Sequence, residues 1–381
     1  MSANESNGTA PLAGIKVVEL ARILAGPWCG QLLADLGAEV VKVEKPGEGD
    51  DTRQWGPPFV RDADGNDLGA AFYHSTNRGK RGVAIDISTP DGQAAVRALL
   101  DDADVLIENF KVGDLARYGL DHASLRGDYP RLISCSITGF GQTGPYSHRP
   151  GYDFIIQGMG GLMSMTGEPD GPPQKAGIAA ADIFTGVYSA VGIMAALRLR
   201  NETGRGSHVD MSLLDVQVAV LANQALNWMT SGRVPHRMGN GHANLSPYQS
   251  FPAADGALVI AVGNDSQFRR FCDVLGLGLG TDPRFATNPA RVTNRLELIP
   301  LLEAATRSWT KAQLAKKLEA AGVPAGSINT VAEAFADEHV RSRGMRIERD
   351  GIPGVASPIV IDAVRMVSAG ASPPLACRSD P

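Results

Sequence analysis

Short, unbroken apolar runs separated by helix-like stretches organise the first part of the chain. IKVVEL (15–20), EVVKVE (39–44), GVAIDI (82–87), DVLIEN (104–109) and LISCSITGF (132–140) are apolar at successive rather than alternate positions. That is the signature of strands covered on both faces, as in a parallel sheet. WCGQLLADLG, the stretch Asp91–Leu100 and a further segment before Leu132 supply the intervening helices. Strand and helix alternate, which predicts an α/β domain with a doubly wound parallel sheet. The turn after the first strand, ARILAGP, lacks GxGxxG. A dinucleotide site is therefore unsupported there, although ligands of such sheets bind beyond the carboxyl ends of the strands.

The pattern then changes. Thr138 to Gly186 is rich in glycine and proline and reads as loop, followed by a long apolar helix at about 183–200 and the strand-like HVDMSLLD. Residues 213–231 read as a connecting helix. PYQSFPAADGALVIAVGN has the form of a hairpin turning at Asp255–Gly256. Helices are expected at 265–275 and 294–321, with one or two strands in VASPIVIDAVRMV.

Composition narrows the function. The chain has 381 residues, 43% hydrophobic and 20% charged, with a formal net charge of −5. This is ordinary for a soluble globular protein and argues against nucleic-acid or membrane-surface binding. Cys29, Cys135, Cys272 and Cys377 are widely spaced, so neither a disulfide framework nor structural zinc is expected. The seven histidines (74, 122, 148, 208, 236, 242 and 339) form no HExxH or i, i+4 pair, and no GxSxG elbow is present. No metal site and no tightly bound cofactor are expected. The polar start, MSANESNGTAPL, has no signal-peptide pattern, and the apolar run from Ile183 to Leu197 is short for a membrane span. A cytoplasmic location fits.

One acid is out of place. In AGIAAADIFTG (176–186), Asp182 stands alone among small and apolar residues ahead of an apolar helix. It reads as a helix N-cap or as a nucleophile, and the two roles are compatible. The helix N-terminus is expected to keep it ionised. Glycines 139, 141, 144, 158, 160 and 161 are candidates for bringing backbone N–H groups to a carbonyl oxygen.

Six stretches carry a wider pattern: LARILAGPWCGQLLADLGAEVVKVEKPGEGD, NRGKRGVAIDISTPDG, ADVLIENFKVGDLARYGL, SITGFGQTGPYSHRPGYDFIIQGMGGLMSMTG, AADIFTG and RMGNGHANLSPYQSFPAADG. In this order and spacing the chain resembles the class III CoA-transferases, the superfamily of formyl-CoA transferase, carnitine CoA-transferase and α-methylacyl-CoA racemase, from about Pro11 to Val367. The resemblance implies a large Rossmann-like domain, 1–205 completed by 331–381, a linker helix 206–229 and a smaller α+β domain 230–330. It also implies an interlocked homodimer acting on an acyl-CoA and a small organic acid.

The same resemblance assigns residues. Asp182 falls on the catalytic aspartate. Leu24, Ala25, Lys45, Ile85, Asp86, Ile87, Ser88, Asn109, Phe110, Lys111, Arg117, Tyr152 and Asp153 fall on positions that contact CoA. Cations near predicted strand ends, Arg78, Lys80 and Arg81 among them, suit phosphates. Gly151-Tyr152-Asp153 stands where the racemases carry Gly-His-Asp, and a tyrosine with pKa near ~10 is a poor base at neutral pH. The transferase branch is implied, ahead of a racemase or a non-catalytic acyl-CoA-binding protein. Leu24 replaces the glutamine of formyl-CoA transferases, and only RMGNGHAN (237–244), with Gly239, Asn240 and Gly241, stands for their glycine-rich loop. The expected donor is succinyl-CoA or a related dicarboxyl-CoA, and Arg22 has three open roles: pairing with the distal carboxylate, facing CoA, or holding structure.

Overall fold

The computed structural model describes residues 10–376, so Cys377 and the polar start of the chain lie outside the described residues. The chain folds as two compact units. Among the described residues the larger comprises 10–162, Ala176–Ala222 and 338–376; the smaller comprises Met163–Lys175 and Asn223–Asp337. Residues 206–222, expected in a linker, belong to the large unit, and 331–337 to the small one.

The large unit is built on β1 (Lys16–Glu19), α1 (Ala25–Asp35), β2 (Glu39–Glu44), β3 (Lys80–Ala84), α2 (Pro90–Leu100), β4 (Val105–Glu108), β5 (Ile133–Thr138), α3 (Asp153–Met159), α4 (Ala180–Thr203), β6 (His208–Ser212) and α5 (Leu213–Ala219). Six strands pair in the order β3-β2-β1-β4-β5-β6, all parallel. Strand order reverses between β1 and β4, the place where doubly wound sheets open a crevice at their carboxyl ends. The apolar runs become strands because both faces are covered. Val17, Ile107, Ile133 and Cys135 join one core cluster, and Val18, Leu106 and Val43 another. Local chemistry sets element ends: α2 begins at Pro90 behind Thr89, whose hydroxyl accepts the Gly92 N–H at 3.0 Å.

The central helix is α4. Its 24 residues are long and apolar enough to cross a membrane, yet half of its most apolar window is buried. It packs on α1, α3, α5, β5 and β6 as a core helix. Gly186 makes this possible, because a Cβ there would come 2.7 Å from the Ala25 carbonyl oxygen and 2.9 Å from Trp28. The opposite stripe of α4, formed by Phe184, Val187, Tyr188 and Val191, is exposed in the single chain.

Several expectations need correction. Thr138–Gly186 is not all loop, since it contains α3. The segment 213–231 is two helices, α5 and Asn223–Ser231, and the single helix expected at 294–321 is broken at 307–310. Between Asn109 and Leu132 there is only a 3-10 turn and the one-turn helix His122–Leu125.

The small unit has the antiparallel hairpin β7 (Tyr248–Ala253) and β8 (Gly256–Ala261), with β9 (Ala325–Ser327) paired to β8. Helices α6 (Asp265–Leu275), α7 (Arg295–Thr306) and α8 (Lys311–Ala320) belong to the same unit. Its own core holds Phe251, Phe268, Phe271, Leu302, Leu314 and Leu318.

Candidate active site

The β1–β4 switch point is open. A cavity of about 310 Å³ is lined by Arg22 to Ala25 after β1, Asn109 to Val112 after β4, Thr138 and Gly139 at the end of β5, Ser147 and Arg149 to Tyr152, and Asp182 of α4. Two crevice loops are tied together, because the Asn109 amide accepts the Arg22 N–H at 2.9 Å and donates to the Arg22 carbonyl at 2.7 Å. The loop after β1 is strained at Ile23, a branched residue with φ +73°, whose N–H points to the Asp50 carboxylate at 3.3 Å. Gly139 and Gly151 touch backbone to backbone, and a Cβ on Gly139 would lie 2.6 Å from the Gly151 Cα. Of the six glycines singled out as candidate donors, only Gly139 lines this cavity.

Asp182 is not the N-cap. Ala179 holds that position and α4 starts at Ala180, so Asp182 sits in the first turn with its side chain in no capping bond. The capping oxygen comes from Asp153, at the start of α3. Its Oδ1 accepts the Ala181 N–H at 2.8 Å and the Asp182 N–H at 3.4 Å. Gln157, one turn further along α3 and fully buried, holds Asp153 in place. Its amide donates to Asp153 Oδ2 at 2.7 Å and to the Ile178 carbonyl at 3.2 Å, and accepts the Ala176 N–H at 2.9 Å.

The electrostatics follow from that arrangement. Burial, with the Asp153 charge second, pushes the Asp182 carboxyl up to about 7. The helix terminus does not keep it fully ionised at neutral pH, because loss of water and the neighbouring Asp153 charge outweigh the dipole. Three acids line the cavity. Asp51 pairs with Arg22 at 2.8 Å and Asp114 with Arg117 at 3.2 Å, whereas Asp182 has no cation partner among the described residues. An unpaired, partly dehydrated carboxylate is a better nucleophile than one bound to a guanidinium.

The other expected contacts divide. Arg22, Leu24, Ala25, Asn109, Phe110, Lys111 and Tyr152 line the cavity with Asp182. Lys45 is exposed and pairs with Glu48 at 2.7 Å, and Arg117 is exposed against Asp114; neither lines the cavity. Ile85 to Ser88 leave β3 toward α2, with Asp86 Oδ1 accepting the Ser88 N–H and hydroxyl. Gly239, Asn240 and Gly241 belong to the small unit, where Gly239 N–H donates to the Gly167 carbonyl and Asn240 to the Ser250 hydroxyl. Arg78 and Lys80 are not available to phosphates. Arg78 is buried against Asp35 at 2.6 Å, and Lys80 is fully buried between Glu19, Asn77 and the Pro27 carbonyl. Sequence reasoning missed Gln157 and Arg149; an arginine beside the GYD motif was the one available signal for the latter.

This geometry joins a carboxylate without a cation partner among the described residues to a Rossmann-like crevice without a dinucleotide fingerprint, and comparison with known proteins identifies the group. The model of CoA-transferase family III matches residues 12–376. The chain belongs to CoA-transferase family III. As a member it is an enzyme, a CoA-transferase. It is 58% identical over 361 residues to the succinate–glutarate CoA-transferase of Agrobacterium fabrum, covering 93% of this chain and 90% of that protein. It is 39% identical over 377 residues to the human succinyl-CoA:glutarate CoA-transferase, covering 98% and 85%. Among solved structures, a CaiB/BaiF family protein from Brucella suis matches with a TM-score of 0.86 at 55% identity, over 97% of both chains.

Proposed function

We propose that this CoA-transferase moves CoA from succinyl-CoA to a small dicarboxylic acid of the glutarate class through a covalent intermediate on Asp182. The observation that carries the reading is Asp182 itself, the one cavity-lining acid without a cation partner among the described residues. The names of the relatives in Agrobacterium fabrum and human support the donor and acceptor class.

The steps balance without any cofactor. The Asp182 carboxylate attacks the thioester carbonyl, the C–S bond breaks, and CoA thiolate leaves a mixed anhydride. The thiolate attacks the Asp182 carbonyl, forming an aspartyl-CoA thioester and releasing succinate. The acceptor carboxylate attacks that thioester and again expels thiolate, which takes the acceptor's acyl group and returns Asp182 to its carboxylate. Each barrier is lower than that of direct exchange. Tyr152, 59% exposed and lining the cavity, fits a contact with the CoA arm better than proton transfer.

A second copy of the chain is the proposed partner. The apolar stripe Phe184, Val187, Tyr188 and Val191 on α4 is larger than scattered surface residues require and suits a homodimer interface. Cytoplasmic placement agrees with the buried free thiols Cys29, Cys135 and Cys272.

Replacing Asp182 tests the reading. Asp182→Ala is expected to lower kcat by about a thousandfold or more, while Kd for CoA by calorimetry stays within about threefold. A variant retaining a tenth of wild-type turnover overturns the covalent route.

A further inference from the structure

Arg22 was a candidate to meet a distal carboxylate, but its guanidinium is engaged by Asp51 at 2.8 Å. Arg149 is a different case. It lines the same cavity as Asp182 and has no acidic partner among the described residues. Its position is built from the core outward. Phe140 packs on the main core cluster, Tyr146 meets Phe140 edge-on at 5.7 Å, and the Arg149 guanidinium lies 3.9 Å from the Tyr146 ring centre. The Arg149 N–H closes the turn onto the Tyr146 carbonyl at 2.8 Å. The guanidinium lies over the ring, and among the described residues no side-chain or backbone acceptor takes its N–H groups, which leaves them for a carboxylate received with two parallel bonds.

We propose that Arg149 binds the distal carboxylate of the dicarboxylic acyl group and so sets the enzyme's preference for dicarboxylates. This rests on the reading of the cavity as the dicarboxylate transfer site. Arg149 is chosen over Lys111, the other unpaired cation on the wall, because an ammonium on a flexible stem has no fixed plane and Lys111 also borders a second cavity beside Glu108 and His122. A phosphate of CoA has the same charge and fork-accepting oxygens, so the two sources must be separated.

The test compares wild type with Arg149→Met, which keeps an unbranched stem, and Arg149→Lys, which keeps the charge. Measured are kcat/KM for succinyl-CoA with glutarate, inhibition constants for glutarate and pentanoate, and Kd for CoA. The expected result is a fall in kcat/KM on the order of 10–100-fold in Arg149→Met and a smaller fall in Arg149→Lys. Glutarate then binds no better than pentanoate, and Kd for CoA stays within about twofold in both variants. A rise in Kd for CoA matching the loss of kcat/KM assigns Arg149 to a phosphate and overturns the proposal, as does kcat/KM within about twofold of wild type. Equal Tm values for the variants and wild type exclude misfolding, with Arg149→Lys the arm read if Arg149→Met is unstable. Wild-type enzyme that transfers CoA to monocarboxylates but not to glutarate would refute the proposed function instead, whatever Arg149 does.

Discussion

Two sets of charged side chains sit on the same six-stranded sheet and do opposite things. Under β1–β3, Lys42 contacts Glu19 at 3.1 Å and Asp50 at 3.0 Å, Lys80 contacts Glu19 at 2.8 Å, and Arg53 contacts Glu44 at 2.7 Å, all buried. Every charge there has a counter-charge. In the crevice above β1 and β4, Asp182, Arg149 and Lys111 face a shared cavity without such partners among the described residues. The residue types are the same; what separates scaffold from site is whether the charge is already answered. Buried pairs whose partner is removed leave an expensive orphan, whereas unpaired cavity charges are left for a ligand.

Breaking the first set is expected to damage stability most. Lys42→Ala leaves Asp50 without its cation and Glu19 with Lys80 alone, and should cost about 3–5 kcal/mol, read as a lower urea midpoint at unchanged m-value. A loss below about 1 kcal/mol would mean the network is scaffold in appearance only. Gly186→Ala comes next. Its Cβ meets the Ala25 carbonyl at 2.7 Å, so α1 and α4 must part, at about 1–3 kcal/mol, with transfer activity falling because Asp182 rides on the same helix.

The second set is probed by pH. The rate of the donor half-reaction in free enzyme should rise with pH through about 7, as Asp182 ionises. Asp153→Asn keeps an oxygen for the Ala181 N–H and removes a negative charge, which moves that midpoint to lower pH; an unmoved midpoint would mean burial alone sets it. The linked stability effect is smaller. Because the folded-state pKa of Asp182 is raised, its contribution to stability is present at pH 4 and lost as pH rises through about 7. Asp182→Asn should therefore raise Tm at pH 8, by roughly 2–4 °C, and leave it unchanged at pH 4. Smallest of all, Lys45→Ala removes only an exposed pair with Glu48 and should leave Tm unchanged.

The sheet was legible in the sequence because strands buried on both faces must be apolar throughout, and the family because its motifs stand in order. Asp182 was legible as an acid with no local reason to be there. Its cap was not: the oxygen serving α4 comes from Asp153, 29 residues earlier, and only the fold brings α3 to that end. The fates of Lys80 and Arg149 were equally hidden, since a cation's role depends on partners far along the chain. The helix α3 escaped because seven residues containing Gly158 carry little helical periodicity.

The central claim, that Asp182 carries CoA covalently, is tested most directly by mass spectrometry of enzyme incubated with succinyl-CoA and no acceptor, then digested under mildly acidic conditions. The account predicts a CoA thioester on the peptide containing Asp182, discharged by glutarate and absent in Asp182→Asn. Full turnover with no adduct, or an adduct on another residue that survives in Asp182→Asn, would contradict it.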